Sequence, residues 1–171
     1  FFETDEIGYY SDREILPYDR FSTTESIIQN RIQLLNSDKN SFKVVVTSCI
    51  NLFERLPSKS FFQSRKKYII GDLLSIKDLV LALEELNYQR VDKVESINQF
   101  TVRGGVVDFY SGFISKPVRI EFFDNEIDEI REFDPGTQHM VGKMTEFQLF
   151  TGSELCLDDP SISDFKSLWR D

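Results

Sequence analysis

Residues 90–133 alternate between apolar and polar side chains, and short turn sequences interrupt this alternation. Because successive side chains of a strand point to opposite faces of a sheet, a two-residue period predicts strands with one buried face. Turn signals occur at Gly104-Gly105, Asp124-Asn125 and 134–136. The pattern therefore predicts an antiparallel sheet with strands at 90–94, 100–103, 106–110, 118–123 and 127–133.

A helix and two further strands complete this predicted module. Ser75 precedes a helical pattern and Asp78 lies three residues later, as in an N-terminal capping box. Leucines then recur at helical spacing, which predicts one buried helix face. Strands are predicted at 68–70 and 146–150. We expect an α+β module over residues 67–152.

Residues 1–66 follow a different pattern, which is typical of an α/β fold. A capping box of Ser22 and Glu25 predicts a helix start. The β-branched run at 43–47 predicts a buried parallel strand. A short helix is predicted at 50–56. Together these elements indicate a partial α/β domain.

Residues 153–171 return to a helical pattern. Asp159-Pro160 predicts the start of a helix that runs through Trp169. We interpret the first and last parts as pieces of one α/β domain, with the module at 67–152 inserted between them. The chain begins at Phe1 within an irregular stretch, so we expect it to be part of a longer protein.

Charge and cysteine content narrow the possible partners. The formal net charge of −9 disfavours contact with a phosphate backbone, so we expect no direct DNA binding. The basic run at 65–67 is predicted to be a solvated loop that leads into a strand. No apolar run reaches the length of a membrane span. Cys49 and Cys156 are far apart, which predicts free, mostly buried thiols and a cytoplasmic location.

The motifs of common catalytic sites are absent from the sequence. The phosphate-binding pattern GxxxxGK[ST] does not occur, so no nucleotide cofactor is expected in this chain. His139 is the single histidine and has no cysteine or histidine at metal-ligand spacing, so it is predicted to lie at the surface. We predict no catalytic residue, no metal site and no enzymatic activity for this chain.

The strand at 118–123 places an aromatic ring where the alternation predicts solvent. Its apolar positions face the core, so Arg119, Glu121 and Phe123 share the opposite face. Phe100 and Val102 similarly point inward, which places Arg103 outward, and Arg103 joins this face if the two strands are neighbours. Arginine and aromatic residues are enriched at binding hot spots, so Arg103, Arg119 and Phe123 form a candidate contact patch.

A second interpretation of Phe123 stays open at this point. A bulge at Phe122-Phe123 would turn the ring under the edge of the sheet and into a second small core. In that case Phe123 would stabilise the fold and would not contact a partner.

Five segments resemble the bacterial transcription-repair coupling factors, the Mfd family. They are EILPYDRFS at 14–22, RVDKV at 90–94 with FTVRGGVVD at 100–108, RIEFFDNEI at 119–127, FDP with TQ at 133–138, and LWRD at 168–171. The excision-repair protein UvrB resembles the middle segments but not LPYDRF. The chain departs from the family pattern at Thr23, Gly71-Asp72 and Tyr110-Ser111.

The resemblance implies a UvrB-like region with a degraded nucleotide site and an inserted module that docks UvrA. It carries UvrA contact over to Arg103, Arg119 and Phe123. It also implies recruitment of UvrA to stalled RNA polymerase in nucleotide excision repair. In the full-length protein it implies a separate motor that uses ATP and magnesium, and a C-terminal domain that covers the patch.

Two other interpretations remain at the level of sequence. The chain could be part of the UvrB damage-verification ATPase, which needs a phosphate loop elsewhere in the protein. It could also be a generic α+β protein-interaction domain without a role in repair.

Overall fold

The structure is a computed structural model, and it describes residues 6–15, 23–37, 41–57, 61–62, 66–154, 163, 166 and 167. Most of the helix predicted at 159–169 lies outside the described residues, as do Ser22 and Cys156. The observed architecture combines a small parallel sheet with a larger, mostly antiparallel sheet and two helices. This confirms the predicted fold class, α/β plus α+β.

The first part of the chain is a strand–helix–strand unit. Strand β1 (Ile7–Tyr10) pairs in parallel with β2 (Val44–Thr47), and helix α1 (Glu25–Asn36) connects them. The predicted parallel strand is therefore present. Its predicted burial is wrong, since Val45 and Val46 are each about half exposed. In the described residues β2 pairs on one edge only, so its apolar side chains are incompletely covered.

Helix α1 begins later than its capping motif predicted. Its N-cap residue is Thr24, whose carbonyl accepts hydrogen bonds from the amides of Ile27 and Ile28. The Thr24 hydroxyl lies near that of Ser26 and caps no amide. The predicted helix at 50–56 is reduced to one 3-10 turn, Asn51–Phe53.

The module is built on a six-stranded sheet with the strand order β4-β5-β6-β7-β8-β9. All neighbours are antiparallel except β4 and β5. The strands are β4 (Gln89–Arg90), β5 (Gln99–Arg103), β6 (Val106–Tyr110), β7 (Val118–Phe123), β8 (Glu126–Phe133) and β9 (Met140–Met144). The strand predicted at 90–94 is therefore shorter, and β9 was not predicted.

Helix α2 (Ile76–Glu85) covers one face of this sheet. The Ser75 hydroxyl accepts a hydrogen bond from the Asp78 amide at 3.1 Å, which confirms the predicted cap. Leu79 and Leu83 are fully buried against the sheet. Removing these side chains from water stabilises the module. The buried side chains of this core include Phe100, Val107, Phe109, Val118, Ile120, Ile127, Ile130 and Phe147.

The chain enters and leaves the module through paired strands. Strand β3 (Lys66–Ile69) is antiparallel to β10 (Glu146–Leu149). Gln29 and Gln33 of α1 donate hydrogen bonds to the carbonyl of Gly112, which connects the first part with the module. Adjacent entry and exit strands are what an inserted module requires, and the boundaries at 66 and 152 stay a prediction.

Candidate docking site

The face of the large sheet opposite α2 carries a row of polar side chains. Thr101 pairs with Asp108, Asp108 with Arg119, and Arg119 with Arg131, on four successive strands. Directly opposed residues of antiparallel strands place their side chains on the same face. Asp108 lies in the middle of this row and is only 1% exposed.

Two arginines share the buried carboxylate of Asp108. Arg119 donates from Nε to Oδ1 at 2.7 Å and from Nη2 to Oδ2 at 2.9 Å. Arg103 donates from Nη2 to the same Oδ2. Two positive charges on one carboxylate leave this cluster with a net charge of +1. The cluster is therefore a positive site on a chain whose net charge is −9.

The two arginines are presented differently to solvent. The Arg103 side chain is 51% exposed, and that of Arg119 is 20% exposed. The guanidinium of Arg119 also lies 4.7 Å above the centre of the buried Phe133 ring. Its hydrogen bonds with Asp108 raise the pKa of Arg119 above its ordinary value. Arg119 therefore contacts the protein on two sides, at Asp108 and at the Phe133 ring. The Arg103 side chain, in contrast, is half exposed to solvent.

Phe123 is the most exposed side chain of the predicted patch, at 72%. Its neighbour Phe122 packs against the core. The irregularity of β7–β8 pairing lies between Glu121 and Phe122, where Asp128 of β8 has no partner in the register. The extra residue is on β8, so β7 keeps its alternation and Phe123 stays on the Arg119 face. The alternative that Phe123 curls into a second core is wrong.

A shallow depression lies beside the two arginines. It is lined by Arg103, Val106, Arg119, Glu121 and Gln138. Phe123 follows Arg119 by four residues along β7, a separation of about 13 Å. The amide group of Gln138 donates to the carbonyls of Val94 and Pro135, which fixes that wall of the depression. This face can therefore offer a cation, a concave surface and an aromatic ring together.

Comparison with known proteins identifies the module. The sequence model of the UvrB interaction domain family matches residues 68–155, which is more than half of the chain. The chain belongs to the UvrB interaction domain family. Arg103, Asp108, Arg119 and Phe123 all lie inside the matched range.

The curated relatives carry the name transcription-repair-coupling factor. The Haemophilus influenzae protein is 32% identical over 97% of this chain, and the Escherichia coli protein is 30% identical over 98%. The Rickettsia typhi protein is 32% identical over 98%. The chain spans about 15% of the length of each of these relatives. These matches confirm the resemblance to coupling factors and extend it beyond the UvrB interaction domain.

A buried ionic network joins the end of the UvrB interaction domain to the first part of the chain. Arg31 of α1 is fully buried and donates to both carboxylate oxygens of Glu154, at 2.7 and 2.9 Å. It also donates to the hydroxyl of Tyr10 and to Glu54. Burial, with a contribution from Glu154, raises the pKa of Tyr10 to about 12. Every partner is committed within the network, so we assign it a structural role.

The remaining residues singled out by the sequence lie at the surface or outside the described residues. His139 is exposed, as predicted. Cys49 is an exposed free thiol, so its predicted burial is wrong. It follows β2, whose outer side is incompletely covered. Among the described residues there is no cluster of three His, Cys, Asp or Glu side chains suited to a metal ion. Within the same ranges no helix is long and apolar enough to cross a bilayer.

Sequence reasoning missed Asp108, which organises the arginine cluster. A detectable signal was present: Asp108 is the one charged residue of an otherwise apolar and aromatic strand, 106–110. Its position two residues after Val106 puts it on the same face as Arg119 once the register is known. The alternation of apolar and polar residues does not specify the β6–β7 register, so it could not pair Asp108 with Arg119.

Proposed function

We propose that this chain is the UvrA-docking region of a transcription-repair coupling factor. Through it the full-length protein brings UvrA to stalled RNA polymerase in transcription-coupled nucleotide excision repair, in the cytoplasm. The observation that carries the proposal is the 72% exposed ring of Phe123 on the sheet face that also bears the arginine cluster. Membership of an interaction-domain family and the names of the relatives support the same role.

Each patch residue has a distinct role in this proposal. Phe123 enters an apolar depression on UvrA, because an exposed ring gains most from being removed from water. Arg103 pairs with a carboxylate on UvrA, since half of its side chain is free to solvent. Arg119 holds Asp108 and thereby keeps Arg103 in place. The chain acts by docking alone, and the motor that uses ATP and magnesium lies elsewhere in the full-length protein.

The patch is covered in the resting full-length protein. An aromatic ring and a cation left open together favour non-specific association, so a cover has a physical advantage. We assign the cover to the C-terminal domain. On this basis UvrA binds the 171-residue chain more tightly than it binds the resting full-length protein.

Calorimetry with purified UvrA tests the docking role. Phe123→Ala in the 171-residue chain should weaken binding by about 2 kcal/mol, or roughly thirtyfold. Phe53→Ala is the matched control, since Phe53 is also an exposed phenylalanine, at 86%, and lies outside the UvrB interaction domain. The control should bind like the unsubstituted chain. Absence of saturable UvrA binding by the unsubstituted chain would refute the proposed function.

A further inference from the structure

An exposed leucine, Leu73, lies two strand spacings from Phe123 across the sheet, with Glu126 between them. Leu73 precedes α2 and is 84% exposed, the highest value for any described apolar side chain of the module. It forms an antiparallel bridge with Glu126, and Glu126 pairs with Phe123 on its other side. Opposed residues share a face, so Leu73, Glu126 and Phe123 point to the same side.

The two apolar side chains are close enough to enter one groove. Two strand spacings separate them, which is about 10 Å. The backbone around Leu73 is held on both sides: the Leu74 amide donates to the Asn125 carbonyl at 2.8 Å, and the Ile127 amide donates to the Asp72 carbonyl at 3.0 Å. Leu74 itself is in the core. The backbone that carries the Leu73 side chain is therefore already ordered before binding, so it contributes little ordering cost.

The surroundings of this pair define the chemistry of the partner. Asp124 and Glu126 are exposed between and beside the two apolar side chains. The complementary surface is therefore an apolar groove bordered by basic side chains. The arginine cluster at the other end of the face needs an acidic patch. A partner with both features can dock in one orientation only, because the reverse orientation opposes like charges.

We propose that Leu73 is a second apolar contact of the UvrA-docking surface and enters the same groove as Phe123. This inference rests on the proposed function and extends it. Leu73 continues the row that begins with Phe123, and one binding event can remove both side chains from water. A single exposed leucine needs no explanation, but two exposed apolar side chains on one face of the sheet, one of them the candidate hot spot Phe123, do.

The test uses the 171-residue chain with three single substitutions, Leu73→Ala, Leu81→Ala and Phe123→Ala. Leu81 is the matched control, because it is a 47% exposed leucine on α2, which covers the opposite face of the sheet. Leu73→Ala should weaken UvrA binding about tenfold, with an unchanged melting temperature. Leu81→Ala should leave the affinity unchanged.

The outcomes separate this inference from the proposed function. If Phe123→Ala weakens binding while Leu73→Ala does not, docking stands and the role of Leu73 is wrong. Equal losses of UvrA affinity for Leu73→Ala and Leu81→Ala would also overturn the proposed role of Leu73. If Leu73→Ala abolishes self-association of the chain in sedimentation and leaves UvrA affinity intact, the row binds a second copy instead. Lack of UvrA binding by the unsubstituted chain overturns both proposals.

Discussion

Arg119 donates two parallel hydrogen bonds to the carboxylate of Asp108, from Nε at 2.7 Å and from Nη2 at 2.9 Å. Asp108 is almost fully buried, and these contacts and the hydrogen bond from Arg103 satisfy its carboxylate oxygens. A buried carboxylate that loses its partner is strongly destabilising. The two arginines of the patch therefore have unequal roles, since Arg119 stabilises the sheet and Arg103 faces solvent.

Substitution of the two arginines should separate stability from binding. Arg119→Ala should lower the free energy of unfolding by about 2 kcal/mol and the melting temperature by about 5 °C, because Asp108 keeps only its contact with Arg103. Arg103→Ala should cost less than about 1 kcal/mol, because this side chain is half exposed. Both variants should bind UvrA less tightly. Thermal unfolding and calorimetry on the same samples measure the two effects, and equal melting temperatures would contradict the unequal roles.

The buried ionic network around Arg31 should stabilise the fold more than the exposed ion pair between Lys67 and Glu146 does. Glu154→Gln keeps the shape of the side chain but removes a charge from a buried pair, and should cost about 3 kcal/mol. Glu146→Gln is the control, since its ion pair with Lys67 is exposed on both sides and should contribute under about 1 kcal/mol. Urea unfolding measures both values. A loss for Glu154→Gln no larger than for the control would show that the network contributes little.

Alkaline pH should destabilise the fold through Tyr10. Its pKa is raised by burial to about 12, so the folded state retains the proton more strongly than the unfolded state. The stability linked to this proton is fully present below about pH 10 and is lost as the pH rises towards 12. Tyr10→Phe should therefore lose less stability between pH 9 and pH 11 than the unsubstituted chain. Tyr9→Phe, at an exposed neighbour, is the control for urea unfolding at both pH values.

The chain should bind no nucleotide. Its sequence lacks the glycine-rich phosphate loop and is short of basic residues that could replace it. Calorimetry with ATP and magnesium is expected to give no saturable heat. A micromolar site would favour the interpretation as part of an ATPase.

Duplex DNA should bind weakly or not at all at physiological salt. The net charge of −9 opposes the phosphate backbone, and the positive cluster around Asp108 has a net charge of only +1. A gel-shift titration with the 171-residue chain measures this. An affinity that falls steeply with salt would mean that phosphates are contacted directly, and docking alone would not describe the chain.

Local sequence determined the elements whose patterns are strong. Strands β6 and β7 begin and end where the alternation predicted, and the Ser75 cap is present because its hydrogen bond spans only three residues. Alternation also placed Phe123 on the correct face. Strands β1 and β9 were not predicted because each exists through its pairing, β1 with the distant β2 and β9 with β8.

Contacts between distant residues required the tertiary structure. Asp108 meets Arg119 because the β6–β7 register aligns them across an irregular loop, and no local pattern encodes that register. Leu73 joins Phe123 through a bridge to Glu126 that connects residues more than fifty positions apart. A strand pattern specifies which face a side chain occupies, but neighbours on that face are decided by strand order and register, which depend on the packing of the whole chain.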